Sequence, residues 1–322
     1  MRIWGSCRRF CILRSRIDHV LLIGFGGPTK PEEIQPFLEV VTQGARIPPQ
    51  RLREVARHYE ATGGFSPYNR HAARLSEKLQ QALHAAGLNL PVFLGMRNWR
   101  PFLSEVLAQI KGKGLRHGIG IVLAPHRCEA GFNRYVRSLE QARAEVSGAD
   151  LFYELLGPWY DHFLFLEAQA DQARRFWRPM SSMEKAATHL LFTAHSIPVE
   201  MAGRSRYEEE IRTSSHGVAQ LLACSNWSIA FQSRSGPPTQ PWLEPEARAV
   251  IPSLKGKGIR NLLVVPIGFL FDHTEVLYDL DVDLKETALA SGLSYRRAST
   301  VMDHPQFVEM LTELVREKME PE

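Results

Sequence analysis

The chain has few cysteines, and none at a spacing that makes them work in pairs. Four are scattered over 322 residues, at positions 7, 11, 128 and 224, with no CxxC among them. Neither a zinc site nor a disulfide framework is indicated, and thiols so placed suit a reducing cytoplasm. No apolar run approaches the ~18 residues that a membrane span needs. The longest, Leu262–Phe271, is bounded by Asn261 and Asp272. A basic excess is missing from the body as well. The net charge is +4, but Arg2, Arg8, Arg9, Arg14 and Arg16 lie within residues 1–17, where no acid occurs. Without those five the balance is 34 bases to 35 acids, which leaves no electrostatic footprint for nucleic acid. The basic segment also lacks an h-region and a small-residue cleavage site, so residues 1–18 are expected to form a frayed, disordered arm.

What is present is ordinary globular material, 44% hydrophobic and 23% charged, in a length that suits two domains. Short apolar runs at Val20–Phe25, Val92–Met96, Gly118–Ala124, Leu151–Leu155, His189–Ala194, Trp227–Gln232, Leu262–Gly268 and Leu293–Arg297 have the texture of buried strands. Helical periodicity fills the gaps at Asn69–Ala86, Pro101–Lys111, Ala130–Val146, Asp161–Trp177, Tyr207–Ala223 and Glu275–Ala290. This alternation predicts an α/β fold with parallel sheets.

The halves echo one another. KGKGLR at 111–116 precedes one apolar run and KGKGIR at 255–260 another, 144 residues later. Val20–Pro28 resembles Leu190–Pro198, and Val92–Arg97 resembles Ser228–Arg234, in the same order. Chance remains an alternative, since Gly and Lys both favour helix ends. Two similar α/β halves place a cleft between them, and ligands in such folds bind beyond the carboxyl ends of strands.

The strand ends therefore matter most. After the first run, Gly24-Phe25-Gly26-Gly27-Pro28 fails the dinucleotide fingerprint, because Thr29 stands at its sixth position. After the fifth comes Thr193-Ala194-His195-Ser196-Ile197-Pro198. A histidine there is placed for proton transfer or metal binding, although from the residue alone a hydrogen-bonded structural histidine is the commoner reading. After the seventh, Glu275, Asp279 and Asp283 are spaced i, i+4, i+8. They fall on one helix face as a track for protons or a divalent cation, or as a solvated acidic face. His195 with Glu275 offers mixed N/O ligation suited to a first-row divalent ion. Arg97 and Arg100 are candidate carboxylate forks.

The segments LLIGFGGP (21–28), GGFSPYN (63–69), GMRNWRP (95–101), AHSIP (194–198), FQSRSGPPTQPWLEP (231–245) and PIGFLFDHTEVLYD (266–279) resemble those of ferrochelatases, in matching order from about residue 19 to the end. FGGPxxPEEIxPFL followed by GxxIPxxRL is most similar to the actinobacterial type, which acts on coproporphyrin III. The resemblance implies two Rossmann-like domains, each with a four-stranded parallel sheet flanked by helices. Residues 19–160 would form the first and 161–303 the second, with a helix at 304–320 packing back on the first. It implies insertion of ferrous iron into a porphyrin in haem biosynthesis. Coproporphyrin III is the expected substrate; protoporphyrin IX, or a non-catalytic tetrapyrrole or metal carrier on the same fold, stands as the alternative. His195 and Glu275 match the family's iron-site and proton-handling pair, with their division of labour open. Asp279 and Asp283 match the relay. His58, Tyr59, Ser66, Arg97 and Tyr135 are the implied substrate-binding residues.

Departures accompany the match. Phe25 stands where some coproporphyrin enzymes have an iron-binding Tyr, and Thr42 and His58 where relatives have arginines. The run APHRCEAGF (124–132) replaces a hydroxyl-rich one. Only Cys128 and Cys224 lie in the body, too few for the [2Fe–2S] cluster of many actinobacterial relatives. The expectation is a cytoplasmic monomer with no tightly bound cofactor. Its partners would be porphyrin, Fe²⁺ and transient haem-pathway contacts, with neither nucleic acid nor a transmembrane segment.

Overall fold

A computed structural model describes residues 17–43, 48–236 and 239–320. The arginine-rich arm through residue 16, with Cys7 and Cys11, lies outside the described residues, as do Gly44–Ile47 of the GxxIPxxRL segment. Ile17 and Asp18 belong to the folded body. Ile17 is buried, and the Asp18 carboxylate accepts the backbone N–H groups of Arg116 and His117.

Among the described residues, eight strands form two sheets. They are β1 (His19–Gly24), β2 (Val92–Met96), β3 (His117–Val122), β4 (Phe152–Leu156), β5 (Thr188–His195), β6 (Trp227–Gln232), β7 (Asn261–Val265) and β8 (Ser294–Arg297). The orders are β2-β1-β3-β4 and β6-β5-β7-β8, every pair parallel. The second sheet repeats the first strand for strand, in the sequence order of the echoes. Both KGKG segments end on a left-handed glycine, Gly114 (φ 78°) and Gly258 (φ 76°). Each closes the helix before its third strand, where a Cβ would be strained. The central strands β1 and β5 are largely apolar because helices cover both faces, with His19, Thr188, His189 and Thr193 as buried polar exceptions. All of β1 is buried, as is β5 up to His195.

The helices follow their stripes. Tyr68–Ala85 buries Tyr68, Ala72, Leu75, Leu79 and Leu83 along one side, the spacing of an amphipathic helix. Pro305–Met319 packs on this helix and on Phe163–Trp177. Phe307, fully buried, meets Trp159 at 5.4 Å between centroids, and Trp159 meets Phe165 at 5.3 Å. Just before that helix, Asp303 accepts Arg74 at 3.0 Å and Lys78 at 2.6 Å. One apolar core runs from Val20 and Leu22 through Leu75 and Leu79 to Phe271, Val301 and Phe307.

Two expected helices differ in detail. The stretch 130–146 opens with a π turn, Glu129–Asn133, before Arg134–Glu145. The stretch 275–290 is Thr274–Tyr278, then a π turn over Asp279–Leu284, then Lys285–Ala290. Such turns add a residue per hydrogen-bonded ring and recur at functional sites. The helix Pro49–Ala61 was not among the expected elements.

Candidate active site

His195 is the last residue of β5. The loop after β7 folds across that strand end, with Gly268 N–H donating to Thr193 O at 3.1 Å. A Cβ on Gly268 would stand 2.7 Å from the Cβ of Ala194, so glycine permits the crossing. The loop then delivers His273 and, at the start of the next helix, Glu275. Glu275 Oε2 lies 3.8 Å from His195 Nε2 and 3.6 Å from His273 Nε2. Each imidazole also turns Nδ1 to a backbone carbonyl, His195 to Ser196 O at 2.5 Å and His273 to Phe271 O at 3.2 Å. A carbonyl only accepts, so both Nδ1 atoms carry protons and both Nε2 atoms address the same carboxylate oxygen.

Glu275 is half-exposed. Burial pushes its pKa up. The His273 contact and the charges of His195, His273 and His58 outweigh that and pull it down to about 2. Asp279 behaves oppositely. Burial, reinforced by the Glu275 charge, raises it to about 6, against hydrogen bonds from Ser233 and Gln232 that favour the anion. Gln232 Nε2 lies 3.4 Å from Asp279 Oδ2, and Ser233 Oγ donates to the same oxygen. Ser233 adopts φ 60°, a costly conformation for a residue with a Cβ. Asp283, farther along, is paired with Arg248 at 3.1 Å. The three carboxylates thus meet two imidazoles, then a hydroxyl and an amide, then a guanidinium. A cavity of about 510 Å³ lies beside the acidic row, lined among others by Arg51, Ser196, Ser233, Trp242 and Asp279.

The remaining expected residues divide into two groups. His58, on Pro49–Ala61, stacks on Tyr278 with centroids 3.7 Å apart and planes within 8°. Burial lowers its pKa, with Arg51 adding to the effect and Asp283, Glu54 and Glu275 opposing it. Tyr59 is buried against Phe37, and burial plus the Glu275 charge raises its phenol pKa. These two belong with the carboxylates. Arg97 follows β2 and donates to Ser138 Oγ at 3.1 Å; burial first, then Arg134, lowers its pKa, and Tyr135 opposes them. Tyr135 is buried and donates to the Tyr68 hydroxyl, which also accepts Phe25 N–H at 2.8 Å. Ser66 is buried beside Gly27, whose Cβ would stand 2.8 Å from that of Ser66.

Sequence reasoning missed His273 and Tyr68. His273 is adjacent in sequence to the acidic row, and the signal was its position one residue past the exit of an apolar run. Tyr68 joins the two groups. Its ring lies 5.0 Å from Phe271 and 6.4 Å from His273, between centroids. Among the described residues, no three His, Cys, Asp or Glu side chains are already arranged to hold a metal ion. The arrangement sets two imidazoles against one carboxylate, with a protonatable carboxylate one turn behind.

The family model described as Ferrochelatase matches residues 18–319. The ferrochelatase of Rhodopirellula baltica is 38% identical over 303 residues, 94% of this chain and 86% of that one. The coproporphyrin III ferrochelatase of Nocardia farcinica is 35% identical over 312 residues, and that of Mycobacteroides abscessus 38% over 307, each covering 94% of this chain and 89% of the relative. Among solved structures, the chain is similar to SirB from Bacillus subtilis with Fe³⁺, at TM-score 0.57 and 12% identity over 94% of this chain and 96% of that one. A multi-domain Deinococcus radiodurans protein with structural similarity to chelatases matches at TM-score 0.55 and 14% identity, over 95% of this chain and 56% of that one. At those identities the structures show the chelatase-like fold alone.

Proposed function

The chain belongs to the ferrochelatase family, and from that premise we propose that it inserts ferrous iron into coproporphyrin III at the His195–Glu275–His273 cluster. The observation that carries this reading is one carboxylate oxygen facing two imidazole Nε2 atoms, at 3.8 and 3.6 Å, at the carboxyl ends of β5 and β7. The reaction needs that combination. A porphyrin gives up two pyrrole protons as Fe²⁺ enters, so the ring stays neutral and two protons must leave. Imidazole and carboxylate suit Fe²⁺ as ligands and the N–H groups as bases.

The acidic row supplies the exit. Glu275 stays ionised at neutral pH and is a poor resting place for a proton. Asp279, at about 6, takes and gives protons near neutrality, as a relay requires. Asp283, paired with Arg248, is the next step outward. Arg97, Ser66 and Tyr135 orient the macrocycle from the first half. The coproporphyrin preference is supported by relatives named for that substrate that match over 89% of their length.

The test is anaerobic Fe²⁺ insertion into coproporphyrin III and protoporphyrin IX, side by side, followed by absorbance. The expected result is faster insertion into coproporphyrin, lost by at least a hundredfold in His195→Ala and in Glu275→Ala. Faster insertion into protoporphyrin would overturn the substrate assignment. Tight porphyrin binding with no insertion into either would overturn the enzyme and leave a carrier.

A further inference from the structure

Arg297 ends the edge strand β8, opposite Val264 of β7, which in turn lies opposite Leu191 of β5. Its side chain is 10% exposed. A guanidinium has five N–H donors in a rigid plane, and here all five are engaged. Nε reaches Asp281 Oδ1 at 2.7 Å and Nη2 reaches Asp281 Oδ2 at 2.7 Å. Nη1 reaches Asp272 Oδ1 at 3.0 Å and Nη2 reaches Asp272 Oδ2 at 3.2 Å. The remaining Nη1 proton goes to Ala298 O at 3.1 Å. Asp272 is fixed from a further side by Thr300 N–H at 3.2 Å. One cation thus holds two carboxylates, each through a two-bond fork, the strongest geometry open to such a pair.

The two carboxylates bracket the site. Asp272 directly precedes His273, and Asp281 lies inside the π turn, two residues past Asp279. Between them lie His273, Glu275 and Asp279. Both carboxylates are spent on Arg297. We infer that Arg297 is a positioning residue for metal insertion: its double fork to Asp272 and Asp281 sets where His273, Glu275 and Asp279 stand relative to His195. Lysine keeps the charge but is a compact point donor with three protons on a flexible stem. It can neutralise one aspartate and cannot hold two planar forks.

The inference rests on the metal-insertion reading for its kinetic effect, but not for its structural one. Arg297→Lys and Asp281→Asn are compared with the unaltered full chain for thermal melting, porphyrin insertion kinetics and backbone hydrogen exchange. In both variants kcat falls at least tenfold, KM for the porphyrin stays within twofold, and exchange across 272–284 quickens while β5 and β7 remain protected. A folded variant that keeps kcat within twofold, or one whose loss lies all in KM, overturns the positioning role. If Arg297→Lys does not fold, Asp281→Asn carries the test, since it leaves the Asp272 fork in place. If the unaltered chain inserts no iron while exchange across 272–284 still quickens in the variants, the metal-insertion reading fails and the clamp stands.

Discussion

Glu275 and Asp279 are one helical turn apart and hold protons in opposite ways. The difference lies in what meets the effect of burial: imidazoles outweigh it at Glu275, whereas at Asp279 burial prevails and the Glu275 charge reinforces it. Stability should show it. Glu275 sits below its ordinary 4.5, so the stability it lends is present above that pH and lost as pH falls through about 2. Asp279 sits above its ordinary 3.8, so its contribution is full below that pH and lost as pH rises through about 6. Asp279→Asn should therefore melt progressively higher relative to the parent between pH 4 and pH 8, by up to roughly 3 kcal/mol. A gap that is flat with pH would contradict the assignment. His273→Ala should lower kcat at least tenfold with porphyrin binding retained, measured by insertion kinetics and fluorescence quenching. That His195 and Glu275 would lie near one another was legible, because each stands at the end of an apolar run. His273 also follows such a run, but a histidine beside an acid reads equally as an ordinary helix cap.

At the scale of elements, Pro305–Met319 closes the first core. Phe307 is fully buried between Trp159 and Phe165. Phe307→Ala should cost about 3–5 kcal/mol in denaturant melts, whereas Leu289→Ala, at a side chain 54% exposed, should stay within about 0.5 kcal/mol. The inner strands were readable as continuous apolar runs, because helices cover both their faces, whereas β8, with Tyr295 buried between exposed Ser294 and Arg296, was read only from the run that starts at Leu293. The helix Pro49–Ala61 was not. Its stripe of Leu52, Val55, Ala56 and Tyr59 is shallow, with only Tyr59 fully buried, and arginines, glutamates and a histidine surround it. The π turns were not read from periodicity, because only Phe132 in the first and Leu280 and Leu284 in the second are buried, too few to mark a shifted stripe. The Arg297 clamp was equally hidden, for it joins residues 16 and 25 positions apart through side-chain geometry alone.

For the whole molecule, the first core takes Phe271, Val301 and Phe307 from the second half of the chain, and Asp303 ties Arg74 and Lys78 to the segment before the last helix. The two sheets should therefore unfold together. Calorimetry is expected to give a single transition with matching van't Hoff and measured enthalpies, and two resolved peaks would show that the shared core does not couple them.

That same return of the last helix sets an order of events on the ribosome. The apolar stripe of Tyr68–Ala85 is made early, and its cover, Pro305–Met319, is made last. Roughly 230 residues separate them, on the order of ten to fifty seconds of synthesis. For that interval the apolar core that Tyr68–Ala85 shares with Pro305–Met319 stays incomplete, so the nascent first half should bind a holdase until residues 305–319 emerge.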